Sequence, residues 1–214
     1  MKNNDFTYIV ENELLGQVKI ERIKPHDPLI VKNIPLGWKC IGTGNYAAVF
    51  VHKSEPKLVV KVVLDDSSAL EKEARVYQQL GEHPAYSKLI HKGGRYLILK
   101  RLEGITLYDA IIKGIRIPER VIKDINEALV YAVKRGLNPY DVHGKNVMMK
   151  HGRGYVVDIS DFHKKGKDEK WNDLVKAYYK FYIKTLYRMP VKIPSIVLDF
   201  VRHSYRIYKK IRLC

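Results

Sequence analysis

Cysteine is nearly absent: Cys40 and Cys214 are the two in 214 residues. They lie far apart and show no metal-ligand spacing, which excludes a disulfide framework and points to a reducing compartment. Long apolar runs are absent too. No window approaches the length of a membrane-spanning helix. Met1 to Leu15 carries acids and amides in place of a continuous apolar stretch, so a secretory signal is not expected. There is no internal repeat, no low-complexity tract, no zinc spacing, no P-loop and no G-x-S-x-G. Acidic residues are few, 23 against 39 Lys and Arg, for a formal net charge of +16. The expected location is the cytoplasm. The charge calls for an acidic partner: a nucleotide such as ATP, nucleic acid, a membrane surface or an acidic protein. Well over half of the excess lies after His163.

Hydrophobic residues make up 46%, enough for a sizeable core in one domain or two small lobes. The first half reads as strands. Thr7–Val10, Gln17–Ile23 and Pro28–Ile34 are short and β-branched. Leu36–Gly42, Ala48–Lys53 and Lys57–Leu64 follow. Ser67 to Leu80 has helical periodicity, and Tyr86–His91 and Arg95–Arg101 read as strands around Gly93-Gly94. The second half turns helical. Pro118 opens a helix that ends at Gly136, with Val121, Ile122, Ile125, Leu129, Ala132 and Val133 on its apolar face. Two short strands, Val147–Lys150 and Tyr155–Val157, flank Gly152-Arg153-Gly154. Helices are expected near Trp171–Tyr187 and Ile196–Ile211. Strand character ends near Leu102-Glu103-Gly104, which divides the chain into an extension (1–35, read as extra strands), a β-rich part (36–102) and a helical part (103–214).

Three motifs carry chemistry. Gly42-Thr43-Gly44-Asn45-Tyr46-Ala47-Ala48-Val49 fits G-x-G-x-x-A-x-V, where glycines let a backbone approach phosphates closely. Three readings stand side by side for it: a kinase-like loop, a dinucleotide site with Asp65 as its ribose acid, or a plain turn. The dinucleotide site requires a helix straight after the glycines, whereas Val49-Phe50-Val51 argues for a strand. Next, Lys61 sits amid β-branched residues. It either faces water from an edge strand or meets an anion. On the following helix Leu70, Ala74, Tyr77 and Leu80 face inward with Glu73 beside them, while Glu71 points away. A carboxylate on the buried side needs a cation, and Lys61 is the natural one. The third motif is Asp141-Val142-His143-Gly144-Lys145-Asn146, then a strand, a Gly turn, a strand and Asp158. An Asp and an Asn on one loop can hold an acceptor hydroxyl and a metal, and a second Asp across a hairpin can hold metal on nucleotide phosphates.

The order of these parts resembles the protein-kinase-like superfamily over residues 36 to 162. The resemblance implies an α+β, two-lobed fold with a β-rich N-lobe and a reduced helical C-lobe. It implies ATP and Mg2+ as cofactors. Gly42, Thr43, Gly44, Asn45 and Val49 would cover the nucleotide. Lys61, held by Glu73, would pair its α/β-phosphates, and Leu99 to Glu103 would form the hinge beside adenine. Asp141 would be the catalytic base, with Asn146 and Asp158 as metal ligands. The chain departs from the pattern in several places. Ala47 replaces the third glycine, and Tyr140 stands where many protein kinases have Arg. His143 sits where serine/threonine kinases usually carry Lys, and D-x-H-x-x-N is similar to the aminoglycoside and choline phosphotransferase branch. Ile159-Ser160 replaces Phe-Gly after Asp158, and no A-P-E follows. Asp173 would buttress the catalytic loop.

Three functions follow from the resemblance: a serine/threonine protein kinase, a small-molecule hydroxyl kinase, or a nucleotide-binding regulator without catalysis. The tail adds a partner question. Lys176, Lys180, Lys184 and Arg188 recur every fourth residue, and Arg202, Arg206, Lys209 and Lys210 follow. They form either the solvated sides of two core helices or a docking surface for nucleic acid, anionic lipid or an acidic protein.

Overall fold

The computed structural model of the chain describes residues 3–25, 27–64 and 67–198. Asp65 and all but the first residues of the helix expected at 196–211 lie outside the described residues, with the basic positions 202–210. The architecture is α+β, in two compact units. The first comprises Met1–Glu103, Ala128–Tyr140 and Ile159–Gly166; the second comprises Gly104–Glu127, Asp141–Asp158 and Lys167–Cys214.

The first unit is built on a five-stranded antiparallel sheet. Its strands are β3 (Trp38–Thr43), β4 (Ala47–His52), β5 (Leu58–Val63), β6 (Leu89–Lys92) and β7 (Tyr96–Lys100), in the order β3-β4-β5-β7-β6. β4 and β5 bury side chains of both faces, as interior strands do: Ala48, Phe50, Val60 and Val62 on one face have no exposed surface, and Ala47, Val51, Val59 and Val63 on the other are buried. Helix α3 (Ser67–Leu80) buries Leu70, Ala74, Tyr77 and Leu80, the face that its periodicity predicts. Tyr86 precedes β6 and does not belong to it; its hydroxyl donates to the Ala128 carbonyl (2.8 Å).

The extension departs from the expectation of strands alone. Thr7–Val10 is helical: α1 (Asn3–Ile9) runs into a π-helical turn (Val10–Leu14) and a short α2 (Leu15–Gln17). Phe6, Val10, Leu14 and Val18 recur every fourth residue and are all buried, a period that a short β-branched window does not reveal. They form one cluster with Trp38, Phe50, Val60, Val62, Tyr96 and Ile98 of the sheet. Glu11 accepts from the Tyr96 hydroxyl at 2.9 Å. The next two expected strands condense to β1 (Lys19–Glu21) and β2 (Ile30–Lys32), an antiparallel pair of their own.

The second unit holds a small sheet, β10-β9-β8, made of β8 (Ile105–Thr106), β9 (Val147–Lys150) and β10 (Arg153–Val156). β8 and the following α4 (Leu107–Ile112) were not foreseen, yet a cap marks them: Thr106 Oγ1 accepts from Asp109 N (3.0 Å). Helix α5 (Glu119–Lys134) begins just after Pro118. It ends in a Schellman motif, Leu137 N to Ala132 O and Gly136 N to Val133 O, with Gly136 at φ +75°. The first half of α5 belongs to the second unit and packs under β10. Asp124 accepts from Arg153 Nε (2.7 Å), Gly154 N (3.0 Å) and Arg120 Nε (2.6 Å). A Cβ at Gly154 would collide with the Val121 carbonyl oxygen and come within 2.9 Å of Ile125 Cγ1. Gly154→Ala therefore destabilises the protein by about 2 kcal/mol; an unchanged urea midpoint would contradict this packing.

Helix α6 (Lys170–Lys180) is shorter than expected. It stops at Phe181, whose φ is −119°, and a 3-10 turn (Tyr182–Lys184) follows. The Tyr182 hydroxyl there accepts from Ile117 N (2.9 Å), a tertiary contact outside the reach of helical periodicity. The basic row is thus broken: Lys176 and Lys180 lie on α6, Lys184 and Arg188 beyond it. Among the described residues no helix is long and apolar enough to cross a membrane.

Candidate active site

In the first unit the glycine-rich stretch is the β3–β4 turn. Gly44 N donates to Ala47 O (2.8 Å), and β4 starts at Ala47. A strand follows the glycines, which removes the dinucleotide alternative. Neither Gly42 nor Gly44 has a positive φ. A Cβ at Gly42 would meet nothing within 4 Å, and at Gly44 only Ala47 O at 3.8 Å. The chain's own packing therefore demands glycine at neither position, and the space above the backbone stays open. Thr43 and Asn45 flank the turn, and the extension braces it. Leu29 N donates to Gly44 O (2.9 Å) and Arg22 Nη2 to Asn45 O (3.0 Å).

Lys61 lies on β5 opposite Val49 of β4. Its Nζ meets Glu73 Oε1 of α3 at 2.8 Å, with side-chain exposures of 13% and 4%. Glu71 points the other way, to Lys92. The helical face that the sequence marks for Glu73 thus delivers the carboxylate to the lysine. Leu99 is buried on β7, and Glu103 is exposed, 3.9 Å from Arg101 Nη1.

In the second unit Asp141, Asn146 and Asp158 come together through one loop and one hairpin. β9 and β10 pair Val147 with Val156, and Val157 N donates to Asn146 O (3.0 Å). Asn146 and Asp158 therefore flank the open end of the hairpin. Asn146 Nδ2 donates to the Asp141 carbonyl (3.0 Å), a bond that does not use its side-chain oxygen. Asp141 itself is left-handed, φ +60°, a conformation that costs a non-glycine residue about 1–2 kcal/mol and persists where the surroundings enforce it. His143 Nε2 is 3.8 Å from Asp141 Oδ2. Burial holds the His143 imidazole below its ordinary pKa, against the pull of Asp141, and its Nδ1 accepts from Lys145 N (3.3 Å). With Nδ1 accepting, the other ring nitrogen, Nε2, is the one that faces Asp141.

Two residues of the site escaped sequence reasoning. Asp168 buttresses the loop. Asp168 Oδ2 accepts from Asp141 N (3.2 Å) and Oδ1 from Lys170 N (2.9 Å). Asp173, expected in that role, lies 3.7 Å from Lys176 Nζ. Lys170, the first residue of α6, donates to Asp141 Oδ1 (2.7 Å) and Asp168 Oδ2 (3.0 Å). Burial opposes its charge, but its hydrogen bonds to both carboxylates prevail and raise its pKa. Neither residue belongs to a recognisable motif; an Asp two residues before a helix start is the one local signal.

Comparison with known proteins gives the family of the chain. No family model matches the chain. The chain is 31% identical over 169 residues, 78% of each chain, to the "Putative serine/threonine-protein kinase YrzF" of Bacillus subtilis (strain 168). It belongs to the protein-kinase-like superfamily. Among solved structures it is similar to the Mycobacterium tuberculosis PknI kinase domain, with a TM-score of 0.46 and 20% identity over 58% of this chain. The chain spans 60% of the length of that structure.

Proposed function

We propose that the protein is an ATP- and magnesium-dependent kinase that phosphorylates a hydroxyl, with protein Ser/Thr as the acceptor. The Lys61–Glu73 pair is the observation that carries this reading. A buried ion pair contributes little to stability over an apolar pair of the same volume, so its presence asks for another reason. A lysine fixed by a carboxylate, across from Val49 and one strand from two glycines that the fold does not need, suits a nucleotide triphosphate.

Asn146 and Asp158 would hold magnesium. Among the described residues no group of three or more His, Cys, Asp or Glu forms a ready metal cage. Two hard oxygen donors at the open end of a hairpin fit an ion that keeps waters and completes its shell with phosphate oxygens. When bound, it would neutralise charge on those oxygens. Asp141 would take the acceptor's proton, oriented by Asp168, Asn146 and Lys170. Catalysis of this kind comes from positioning and charge neutralisation. His143 beside Asp141 favours a second reading, a small-molecule hydroxyl as acceptor. The basic residues of the tail would serve an acidic protein or nucleic acid partner.

Calorimetric titration of ATP with and without magnesium, on the intact protein and on Asp158→Ala, tests the first step. The expected result is magnesium-dependent binding that Asp158→Ala removes. Absence of ATP binding in the intact protein would overturn the proposal. Label transfer to casein against transfer to an aminoglycoside or choline separates the two acceptor classes.

A further inference from the structure

Lys170 stands where no motif asks for a lysine. Its ammonium is closer to Asp141 Oδ1 (2.7 Å) than to Asp168 Oδ2 (3.0 Å), and its side chain is 42% exposed. Stability accounts for the contact with Asp168, which is 6% exposed and also holds two backbone N–H groups, but little for the shorter one with Asp141, 35% exposed. The loop's own lysine is turned elsewhere: Lys145 Nζ lies 4.3 Å from the centre of the Tyr108 ring. His143 brings an imidazole, with Nε2 3.8 Å from Asp141 Oδ2. Among the described residues, Lys170 is thus the lysine that the structure brings onto the Asp141 carboxylate.

We propose that Lys170 is a catalytic residue, the cation that meets the transferred phosphoryl group beside Asp141. This rests on the assignment of Asp141 as the base in phosphoryl transfer. An acceptor hydroxyl that gives its proton to Asp141 sits about 3 Å from the carboxylate. The phosphorus under attack sits about 3–3.5 Å from that hydroxyl oxygen. An ammonium already in contact with Oδ1 is then within hydrogen-bonding reach of the phosphoryl oxygens. A lysine head turns freely on its four-carbon stem, so it can hold Asp141 before transfer and follow the phosphoryl charge during it. The bond from the γ-phosphorus to the bridging oxygen breaks and a bond to the acceptor oxygen forms. The hydroxyl proton goes to Asp141 and ADP leaves. Lys170 exchanges no proton; it stabilises the charge that the phosphoryl oxygens carry in flight. The position differs from the catalytic-loop site occupied by His143, so the cation arrives from α6 and not from the loop.

The test compares the intact protein with Lys170→Met, Lys170→Arg, Asp141→Asn and Lys167→Met, the last altering an exposed lysine three residues away. Single-turnover transfer from γ-labelled ATP and magnesium, to casein and to the protein itself, is measured beside ATP affinity and thermal midpoint. Lys170→Met is expected to transfer about 100-fold more slowly, as on loss of one transition-state donor. ATP affinity stays near that of the intact protein, and the midpoint falls modestly because Asp168, 6% exposed, loses its cation but keeps two backbone N–H groups; Lys170→Arg recovers part of the rate, and Lys167→Met is unchanged. Transfer by Lys170→Met at the intact rate or faster, with Asp141→Asn inactive, overturns the role of Lys170 alone. So does a loss of rate that merely tracks a fall in midpoint and in ATP affinity with no recovery by Arg. Full activity of Asp141→Asn overturns the assignment of the base, and the role of Lys170 with it.

Discussion

Asp141→Asn lowers phosphoryl transfer by about 10³-fold and leaves ATP affinity nearly unchanged, the effect of removing a general base that touches the acceptor and not the nucleotide. Asparagine is the substitution of choice because of the backbone. Asp141 has φ +60°, a conformation that Asn adopts readily and Ala does not. Alanine would add strain to the loss of the base and blur the result. Asn also keeps an oxygen for Lys170 and the N–H that donates to Asp168. An unaltered thermal midpoint with lost transfer therefore isolates the chemistry. A variant with undiminished transfer would remove Asp141 from the reaction.

Lys61→Met has two separable consequences. It takes the Lys61 ammonium from a carboxylate at 4% exposure, and breaking one side of a buried pair costs about 3–5 kcal/mol. It also removes the cation assigned to the nucleotide phosphates, so ATP affinity falls. The double variant Lys61→Met/Glu73→Met separates the two. Replacing the whole pair by apolar groups restores most of the stability, while ATP affinity stays low. Urea midpoints and calorimetry on the single and double variants provide the check. Recovery of ATP affinity together with stability would mean that Lys61 serves the fold alone.

Much of this geometry was legible in the residues before any coordinates. The inward face of α3 put Glu73, and not Glu71, beside Lys61, and the two meet at 2.8 Å. The spacing of Val147–Lys150 and Gly152-Arg153-Gly154 implied the hairpin that sets Asn146 and Asp158 at one open end. Local periodicity and turn chemistry suffice for such features because the information lies within a few residues. The extension was misread because its four-residue period spans Phe6 to Val18, beyond a strand-length window. Tertiary contacts were out of reach as well. Asp168 and Lys170 meet Asp141 across 27 and 29 residues, and no periodicity links them. The early end of α6 coincides with Tyr182 accepting from Ile117, 65 residues away, and the row that Lys184 and Arg188 would continue breaks there.

The central claim is that this chain moves the γ-phosphoryl group of ATP to a hydroxyl with Asp141 as the base. The most direct measurement incubates the intact protein and Asp141→Asn with γ-labelled ATP, magnesium and casein, and follows label on protein. Label that accumulates with the intact protein and is lost in the variant is the predicted result. Equal labelling by both, or no ATP bound by either, would contradict it.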